Sequence, residues 1–216
     1  MLIFAINFSM FYLILIGNLK EVFKNEELRS FLIIVIGSVT FITLNVFFKF
    51  KDTFQAISFE EAFRHSYFQV ASIISTTGYA TTDFLKWPAA SIMILIFLTF
   101  IGACAGSTAG GLKITRLNIL AKSAVKKIKN MISPRKVEVI KIDGKPMTDE
   151  SVNAVEGYLV VYVAVLIIAT FIISFDGFDF TTNFTASLTC VSNVGPGYTD
   201  LVGPYGSLDI FSNFSK

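Results

Sequence analysis

The chain is poor in the side chains that build disulfide frameworks and metal centres. Its 216 residues include two cysteines, Cys104 and Cys190, and one histidine, His65. The cysteines have neither metal-ligand spacing nor a disulfide pattern, so we interpret both as small packing residues. His65 has only Glu61 at a suitable spacing, four residues earlier, which favours packing or hydrogen bonding over a metal site.

Two catalytic signatures are also missing. In the segment 106–113 the lysine does not directly follow the second glycine, and neither serine nor threonine follows the lysine, which argues against a phosphate-binding loop. The segment 105–109 lacks the glycines of a nucleophile elbow. The sequence therefore favours a protein that is not an enzyme. One enzyme hypothesis stays open: a membrane-embedded hydrolase that uses Ser107 and Lys113.

Apolar residues are abundant. They make up 53% of the chain, phenylalanine alone occurs 23 times, and the mean hydropathy is +0.65. Three apolar runs, 31–48, 88–104 and 157–175, reach or approach the length of a transmembrane helix. A fourth run, 1–17, lacks the basic start and the small-residue cleavage site of a signal peptide. We predict a membrane protein in which residues 1–17 are the tail of a preceding transmembrane helix.

The charge is concentrated in one part of the chain. The net charge is +2, yet the segment from Lys113 to Lys145 holds ten basic residues and two acidic ones. The positive-inside rule predicts that this segment is cytoplasmic. Counting back through the spans, residues 18–30 form a cytoplasmic linker. Residues 134–148 form a second one, which contains a hairpin that turns at Asp143-Gly144.

Two stretches of the chain, 117 residues apart, repeat one pattern. Residues 63–84 align with residues 180–201 without gaps when Gly78 is placed on Gly195. The identical pairs are Phe63/Phe180, Ser75/Ser192, Gly78/Gly195, Thr82/Thr199 and Asp83/Asp200. Such repeats indicate a structural unit that is used more than once.

Each copy predicts a short polar helix that stops at a glycine turn. Ser58 and Glu61 have the spacing of a capping box and predict a helix that runs to about Ile74. Asp179 is a plausible N-cap for a second helix that ends at Val191. Both helices carry polar side chains that lipid would not tolerate, so we expect protein to shelter them. We predict that each enters the membrane and turns back at its glycine.

A third feature is the glycine-rich run 102–111. Four glycines in ten residues weaken a helix by about 1 kcal/mol each relative to alanine. Backbone unwound at membrane depth survives only where protein or a wet cavity surrounds it. The run therefore predicts a loop beneath the two glycine turns, with Lys113 just beyond its end. Tight helix packing through small residues is the alternative.

The repeated turns have the composition of a cation site built from main-chain oxygens. Backbone carbonyls can replace the hydration shell of a cation, and glycine allows successive carbonyls to point the same way. The carboxyl end of each preceding helix adds the negative end of its dipole. The candidate ligands and the residues that direct them are Thr76, Thr77, Gly78, Tyr79, Asn193, Val194, Gly195 and Pro196. Asp83 and Asp200 either attract cations at the mouth or serve as turn and cap carboxylates.

These segments resemble the membrane subunit of the Trk/Ktr/HKT superfamily of potassium transporters. Residues 102–113 are similar to the glycine-rich intramembrane loop of that family, and residues 75–79 and 192–198 resemble its third and fourth filter segments. The resemblance implies an all-α membrane fold of the potassium-channel-like type. In the implied fold, four repeats surround one central path. Each repeat consists of a helix, a pore loop and a second helix, with one filter glycine.

The resemblance also implies roles for residues and partners. Potassium would be bound through Thr77, Gly78, Val194 and Gly195. The gate would be formed by Gly106, Ser107, Thr108, Ala109, Gly110, Gly111 and Lys113. The family pattern implies a multi-pass homodimer in the lipid of the cell (inner) membrane, bound by a cytoplasmic nucleotide-sensing regulatory subunit. It implies no organic cofactor and no nucleic acid. A sodium-conducting or sodium-coupled relative is the alternative.

The chain departs from the family pattern in length. It supplies the tail of the second repeat, a full third repeat at residues 31–133 and a fourth repeat at residues 149–216 that lacks its closing helix. We therefore expect a truncated fold, from a fragment of a longer protein or the product of a split gene. Half of a filter ring is not expected to conduct alone.

Overall fold

The structure, a computed structural model, describes residues 1–50, 57–133, 139–213 and 215, and these residues are predominantly helical. The α-helices are Leu2–Ala5 (α1), Phe8–Leu15 (α2), Leu19–Lys24 (α3), Glu26–Phe50 (α4), Phe59–Ile74 (α5), Ala89–Ile101 (α6), Ile114–Ile132 (α7), Asp149–Ile173 (α8) and Phe180–Val191 (α9). Short 3₁₀ segments lie at Phe84–Lys86, Ser174–Asp176 and Leu208–Ile210. The predicted all-α fold is confirmed.

Among the described residues, two helices are long and apolar enough to cross a membrane. These segments are Glu26–Phe50 and Asp149–Asp176, with mean hydropathies of 2.4 and 2.6 in their most apolar windows. At 1.5 Å per residue, the 25 residues of α4 are sufficient for a hydrocarbon layer of about 30 Å. The apolar run 88–104 contains α6, which has 13 residues and stops where the glycines begin.

The first 17 residues form two helices where the apolar run predicts one. α1 and α2 are separated at Ile6 and Asn7, and the Asn7 side chain accepts the N–H of Ser9 to cap α2. The break is paired with the glycine-rich run: Phe8 N–H donates to the Gly106 carbonyl at 3.2 Å. The first N–H groups of a helix have no partner inside the helix, and this contact supplies one at the start of α2.

The two short helices pack against the two long ones, α5 on α4 and α9 on α8. α5 follows Ser58, but the serine side chain makes no capping hydrogen bond, so that part of the capping-box prediction is wrong. Asp179 does cap α9, because its carboxylate accepts the N–H of Thr182. The hydroxyl and backbone N–H of Thr182 hold the pKa of Asp179 below its usual range.

A small hairpin joins α7 to α8. Its strands, Lys141–Ile142 (β1) and Lys145–Pro146 (β2), pair antiparallel around Asp143 and Gly144, which both have positive φ, at 51° and 76°. Two such residues match the type I′ turn that a two-residue hairpin favours. Ile140, just before β1, packs with Ile119 of α7 and Val152 of α8. Residues 134–138, at the beginning of the predicted linker 134–148, lie outside the described residues.

The main core lies among α4, α5 and α6. Phe31, Ile42, Ile73 and Leu95 are almost completely buried in it. Polar residues of α5 and α9 are buried as well, including Gln69 and Asn183. The short helices are thus enclosed by protein along part of their length, as their composition requires.

Candidate ion-binding site

Both glycine turns begin with the same helix C-cap. After α5, Thr77 N–H donates to the Ser72 carbonyl at 2.9 Å and Thr76 N–H donates to the Ile73 carbonyl at 3.0 Å. This pair of bonds defines a Schellman motif, in which the residue after the cap takes a left-handed conformation. Thr76 has a φ of 53° and meets that requirement.

The turn after α9 is built in the same way at positions 117 residues later. Val194 N–H donates to the Thr189 carbonyl at 2.8 Å and Asn193 N–H donates to the Cys190 carbonyl at 3.0 Å. Asn193 has a φ of 59°, and Gly195 has a φ of 111° where Gly78 has 79°. The repeat in the sequence is therefore a repeat of the helix C-cap, with the same two backbone hydrogen bonds and a left-handed residue at the same position.

The two turns lie against each other. A Cβ atom placed on Gly78 would overlap the carbonyl oxygen of Val194 and would lie 3.2 Å from Cδ of Pro196. A Cβ placed on Gly195 would meet nothing within 4 Å. Glycine at 78 thus allows the close approach of the turns, whereas glycine at 195 is required by its backbone angle alone.

Hydroxyl groups fix the first turn. Ser72 Oγ donates to the Tyr79 carbonyl at 2.6 Å, and Ser75 Oγ donates to the Ala71 carbonyl at 2.6 Å. Ser75 Oγ also lies 2.7 Å from Thr77 Oγ1. The Tyr79 carbonyl is therefore partly occupied by a protein donor, which distinguishes it from the other candidate ligands in this turn.

Two tyrosines support the second turn. Tyr162 OH lies 2.8 Å from Ser192 Oγ, and Tyr198 OH lies 2.6 Å from Thr99 Oγ1 in a buried site. Sequence reasoning named neither Tyr162 nor Thr99 as supporting residues. The available signal was their polarity within apolar runs, because a polar group at membrane depth needs a protein partner.

Replacing Tyr198 with phenylalanine tests this support. The ring would keep its contact with Phe84, whose centroid lies 5.5 Å away, and would lose the hydrogen bond to Thr99. We expect a loss of about 1 kcal/mol, which lowers the melting temperature of a chain of this size by about 2 to 4 °C. Tyr205→Phe is the matched control because Tyr205 is 77% exposed. Equal melting temperatures for the two variants would contradict the prediction.

The glycine-rich run forms a closed loop between α6 and α7. Leu112 N–H donates to the Phe100 carbonyl at 3.1 Å and Lys113 N–H donates to the Ile101 carbonyl at 2.8 Å. The two ends of residues 102–111 are therefore hydrogen-bonded together, which agrees with an unwound loop and not with a packed helix. We call residues 102–111 the glycine loop.

The glycine loop touches both turns through one residue. Gly110 N–H donates to Thr76 Oγ1 at 3.0 Å, and a Cβ placed on Gly110 would overlap the carbonyl oxygen of Ser192. The structure thus brings three sequence-predicted elements together at Gly110. The contact places the loop directly against residues that precede the glycine of each turn.

The two residues of the hydrolase hypothesis are engaged with the backbone of the loop. Ser107 Oγ donates to the Cys104 carbonyl, and Lys113 Nζ donates to the Ala109 carbonyl. A serine nucleophile needs a neighbouring base that accepts its proton, and an ammonium group that donates to a carbonyl cannot do so. The geometry gives Ser107 and Lys113 structural contacts in the loop.

The two candidate mouth carboxylates differ in their contacts. Asp83 Oδ1 accepts the N–H of Leu85 at 3.2 Å, and Oδ2 lies 3.4 Å from Lys86 Nζ, so Asp83 acts as a cap carboxylate. Asp200 is exposed.

His65 lies 3.4 Å from Thr81 Oγ1 and 3.8 Å from Glu61, in keeping with a hydrogen-bonding role. No cluster of three or more metal-binding side chains occurs among the described residues.

The fold is that of a membrane protein of the pore-loop type. Its long apolar helices accompany two short helices that end at matched glycine turns, and an unwound loop touches both turns. The sequence matches the family described as TrkH, cation transport protein, over residues 1–211. The chain belongs to this family.

Individual relatives agree with the family match. The chain is 29% identical to the Trk system potassium uptake protein TrkG of Escherichia coli (strain K12), covering 96% of the chain and 42% of TrkG. It is 31% identical to the Trk system potassium uptake protein TrkH of Vibrio parahaemolyticus, covering 88% of the chain and 38% of that protein. The chain spans about two fifths of the length of these relatives.

A solved structure agrees as well. The crystal structure of the potassium transporter TrkH from Vibrio parahaemolyticus superimposes with a TM-score of 0.85 at 30% identity, covering 97% of this chain and 44% of that one. The resemblance to part of a Trk-type membrane subunit, predicted from the sequence, is confirmed.

Proposed function

We propose that this chain supplies two of the four filter segments of a potassium uptake protein. One observation carries the proposal: the turns at Gly78 and Gly195 share one backbone conformation, lie in contact, and are both touched by Gly110. Relatives that match the chain along most of its length are named potassium uptake proteins, which supports potassium as the ion.

Main-chain oxygens provide the ion ligands in this proposal. Thr77, Gly78, Val194 and Gly195 would contribute carbonyls that replace the water lost by potassium. Residues with positive φ alternate with residues of negative φ at positions 76–78 and 193–195, an alternation that would turn successive carbonyls toward one side. The carboxyl ends of α5 and α9 point at the turns and add negative potential without a fixed charge. A carboxylate in the turn would hold the ion too tightly for release.

The glycine loop serves as the gate. Gly110 lies against both turns, so in this proposal an ion leaving the filter meets this part of the backbone. Lys113 holds the Ala109 carbonyl and places a positive charge at the base of the loop, which raises the electrostatic barrier to a cation. Conduction then requires displacement of the loop.

The remaining assignments concern the assembly. Two further filter segments and a closing helix would come from the rest of the transporter, which forms a homodimer in the cell (inner) membrane. The basic segment 113–145 faces the cytoplasm, where a nucleotide-sensing subunit binds. A sodium-conducting relative is the second candidate, since the first filter segment, which would separate the two, lies outside this chain.

The substitution Gly195→Ser tests the filter assignment. The side chain has space but must adopt a φ of 111°, so the carbonyls of this turn are expected to rotate without a steric clash. In a complete transporter that carries this segment, we expect discrimination for potassium over sodium to fall by about tenfold, which corresponds to a change in relative binding of about 1.4 kcal/mol. Competitive uptake of the two ions measures it.

Ser107→Ala is the comparison variant. A pore predicts that this substitution leaves ion selectivity intact, whereas a hydrolase predicts that it abolishes a chemical activity. Unchanged selectivity in Gly195→Ser would count against Gly195 as a filter residue. Equal uptake of both ions by the unsubstituted protein would favour the sodium-conducting alternative.

A further inference from the structure

A buried carboxylate lies beside the glycine loop and takes no part in the proposed ion path. Glu27, in the first turn of α4, is only 6% exposed. Its Oε1 atom accepts hydrogen bonds from Ala105 N–H, in the glycine loop, and from the hydroxyl of Thr115, in the first turn of α7. One oxygen atom therefore connects α4, the loop and α7.

Glu27 and Glu26 are neighbours with different contacts. Glu26 forms an ion pair with Lys122 of α7 and is partly exposed, as expected for an acidic residue near the end of a helix. Burying a carboxylate is costly unless hydrogen bonds replace the lost water, and Glu27 finds them on the loop and on α7. Hydrogen bonds to a charged acceptor are also stronger than those between neutral groups. Glu27 is thus well placed to hold the loop.

The same helix end is tied to the hairpin. Asp143, in the hairpin turn, accepts the N–H of Glu26 at 2.6 Å and the side-chain amide of Asn25 at 2.9 Å. A carboxylate more than a hundred residues away in sequence therefore caps α4 one residue before Glu27. Lys122 Nζ of α7 also donates to the Lys141 carbonyl of the hairpin. The hairpin is therefore hydrogen-bonded to both α4 and α7.

We propose that Glu27 is a positioning residue that holds the glycine loop against the filter turns, and that the Asp143 cap fixes the position of Glu27. Displacement of the hairpin from α4 then frees the loop. This proposal rests on the assignment of the loop as the gate, and it adds a route by which a change at the basic surface reaches that gate. Residues in direct contact along such a route are expected to couple energetically.

Cys104 provides the measurement, because it lies next to Ala105 in the loop and is 1% exposed. We would follow alkylation of Cys104 by a small maleimide in the complete membrane-embedded protein, read by mass spectrometry of the peptide. Glu27→Ala removes two hydrogen bonds to a charged group, which are stronger than those between neutral groups. We expect the alkylation rate to rise by about tenfold or more, which corresponds to about 1.4 kcal/mol for each factor of ten.

Three controls separate positioning from general loss of structure. Glu27→Gln keeps an acceptor oxygen for both donors, so it is expected to restore most of the protection. Glu21→Ala removes an exposed carboxylate from α3 and is expected to change nothing. Cys190, which is exposed, is the internal reference, because its alkylation rate should be the same in all variants.

The coupling to the hairpin is tested with Asp143→Gly. Glycine accepts the positive φ of this position, so the turn is kept and only the carboxylate is lost. We expect faster alkylation of Cys104 in Asp143→Gly, and no further increase when it is combined with Glu27→Ala. Multiplied effects in the double variant would overturn the coupling, because they would show that the hairpin acts independently of Glu27.

The outcomes for the loop and for the gate are distinct. Unchanged Cys104 alkylation in both Glu27→Ala and Asp143→Gly would overturn the proposal and leave the filter assignment intact. Faster alkylation together with higher basal potassium uptake supports both. Faster alkylation with unchanged uptake would support the anchoring role of Glu27 and would overturn the gate in the proposed function. If Glu27→Ala does not fold, Thr115→Val removes one of the two contacts and gives the same comparison.

Discussion

Gly78→Ala is expected to abolish potassium uptake in a complete transporter that carries this segment. The new Cβ would overlap the Val194 carbonyl, and the residue would also have to keep a φ of 79°. Backbone strain of this kind costs about 1 to 3 kcal/mol, and overpacking adds a similar amount. The turns would have to separate, which removes the close approach on which the candidate ion site depends.

Thermal unfolding in detergent and potassium uptake measure the effect of Gly78→Ala together. A total loss of about 3 kcal/mol corresponds to a fall in melting temperature of about 6 to 12 °C for a chain of this size. Gly17→Ala is the matched control, since Gly17 has a φ of 82° and a Cβ there would meet nothing within 4 Å. Gly17→Ala therefore introduces backbone strain similar to that of Gly78→Ala, without a steric clash. Comparable losses in the two variants would mean that contact between the turns contributes little.

Gly110→Ala is expected to push the glycine loop away from the second turn. Its Cβ would overlap the Ser192 carbonyl, and the shift would lengthen the hydrogen bond from Gly110 N–H to Thr76 Oγ1. Overpacking of a tight contact costs about 1 to 3 kcal/mol. Because both turns lose their contact with the loop, we expect basal potassium uptake to rise by about tenfold. This corresponds to a loss of about 1.4 kcal/mol in the free energy that favours the closed position of the loop.

The control for Gly110→Ala is Gly157→Ala in α8. Gly157 has no positive φ and open space around its Cβ position, so alanine there should leave uptake unchanged and stabilise the helix by up to about 1 kcal/mol. Uptake that stays at the basal value in Gly110→Ala, with a normal fold, would contradict the gate assignment. Loss of the folded protein would instead show that the loop is required for folding.

Much of this arrangement is predictable from local sequence. The spacing of Gly78 and Gly195 within matched segments predicts the repeated turns, because each follows a helix that ends at an equivalent position. The density of glycine predicts the loop, and Asp143-Gly144 predicts the hairpin turn. In each case the signal lies in the backbone requirements of a few adjacent residues.

Contacts between distant residues are not predictable in this way. Glu27 lies in a segment with several other charged residues and looks like part of a solvated linker. Only its neighbours in the fold, Ala105 and Thr115, explain its burial. The break at Asn7 likewise depends on a partner, the Gly106 carbonyl, nearly a hundred residues away. Pairings of this kind depend on tertiary structure, which a propensity or a spacing does not encode.

The hydrogen bonds that join the two ends of the glycine loop have a mechanical consequence. Phe100 and Ile101 hold the start of α7 through Leu112 and Lys113, so the two helices keep their relative position when the segment between them moves. Opening of the proposed gate would then break contacts within the loop, such as those of Ala105 and Gly110, and leave the junction of α6 and α7 in place.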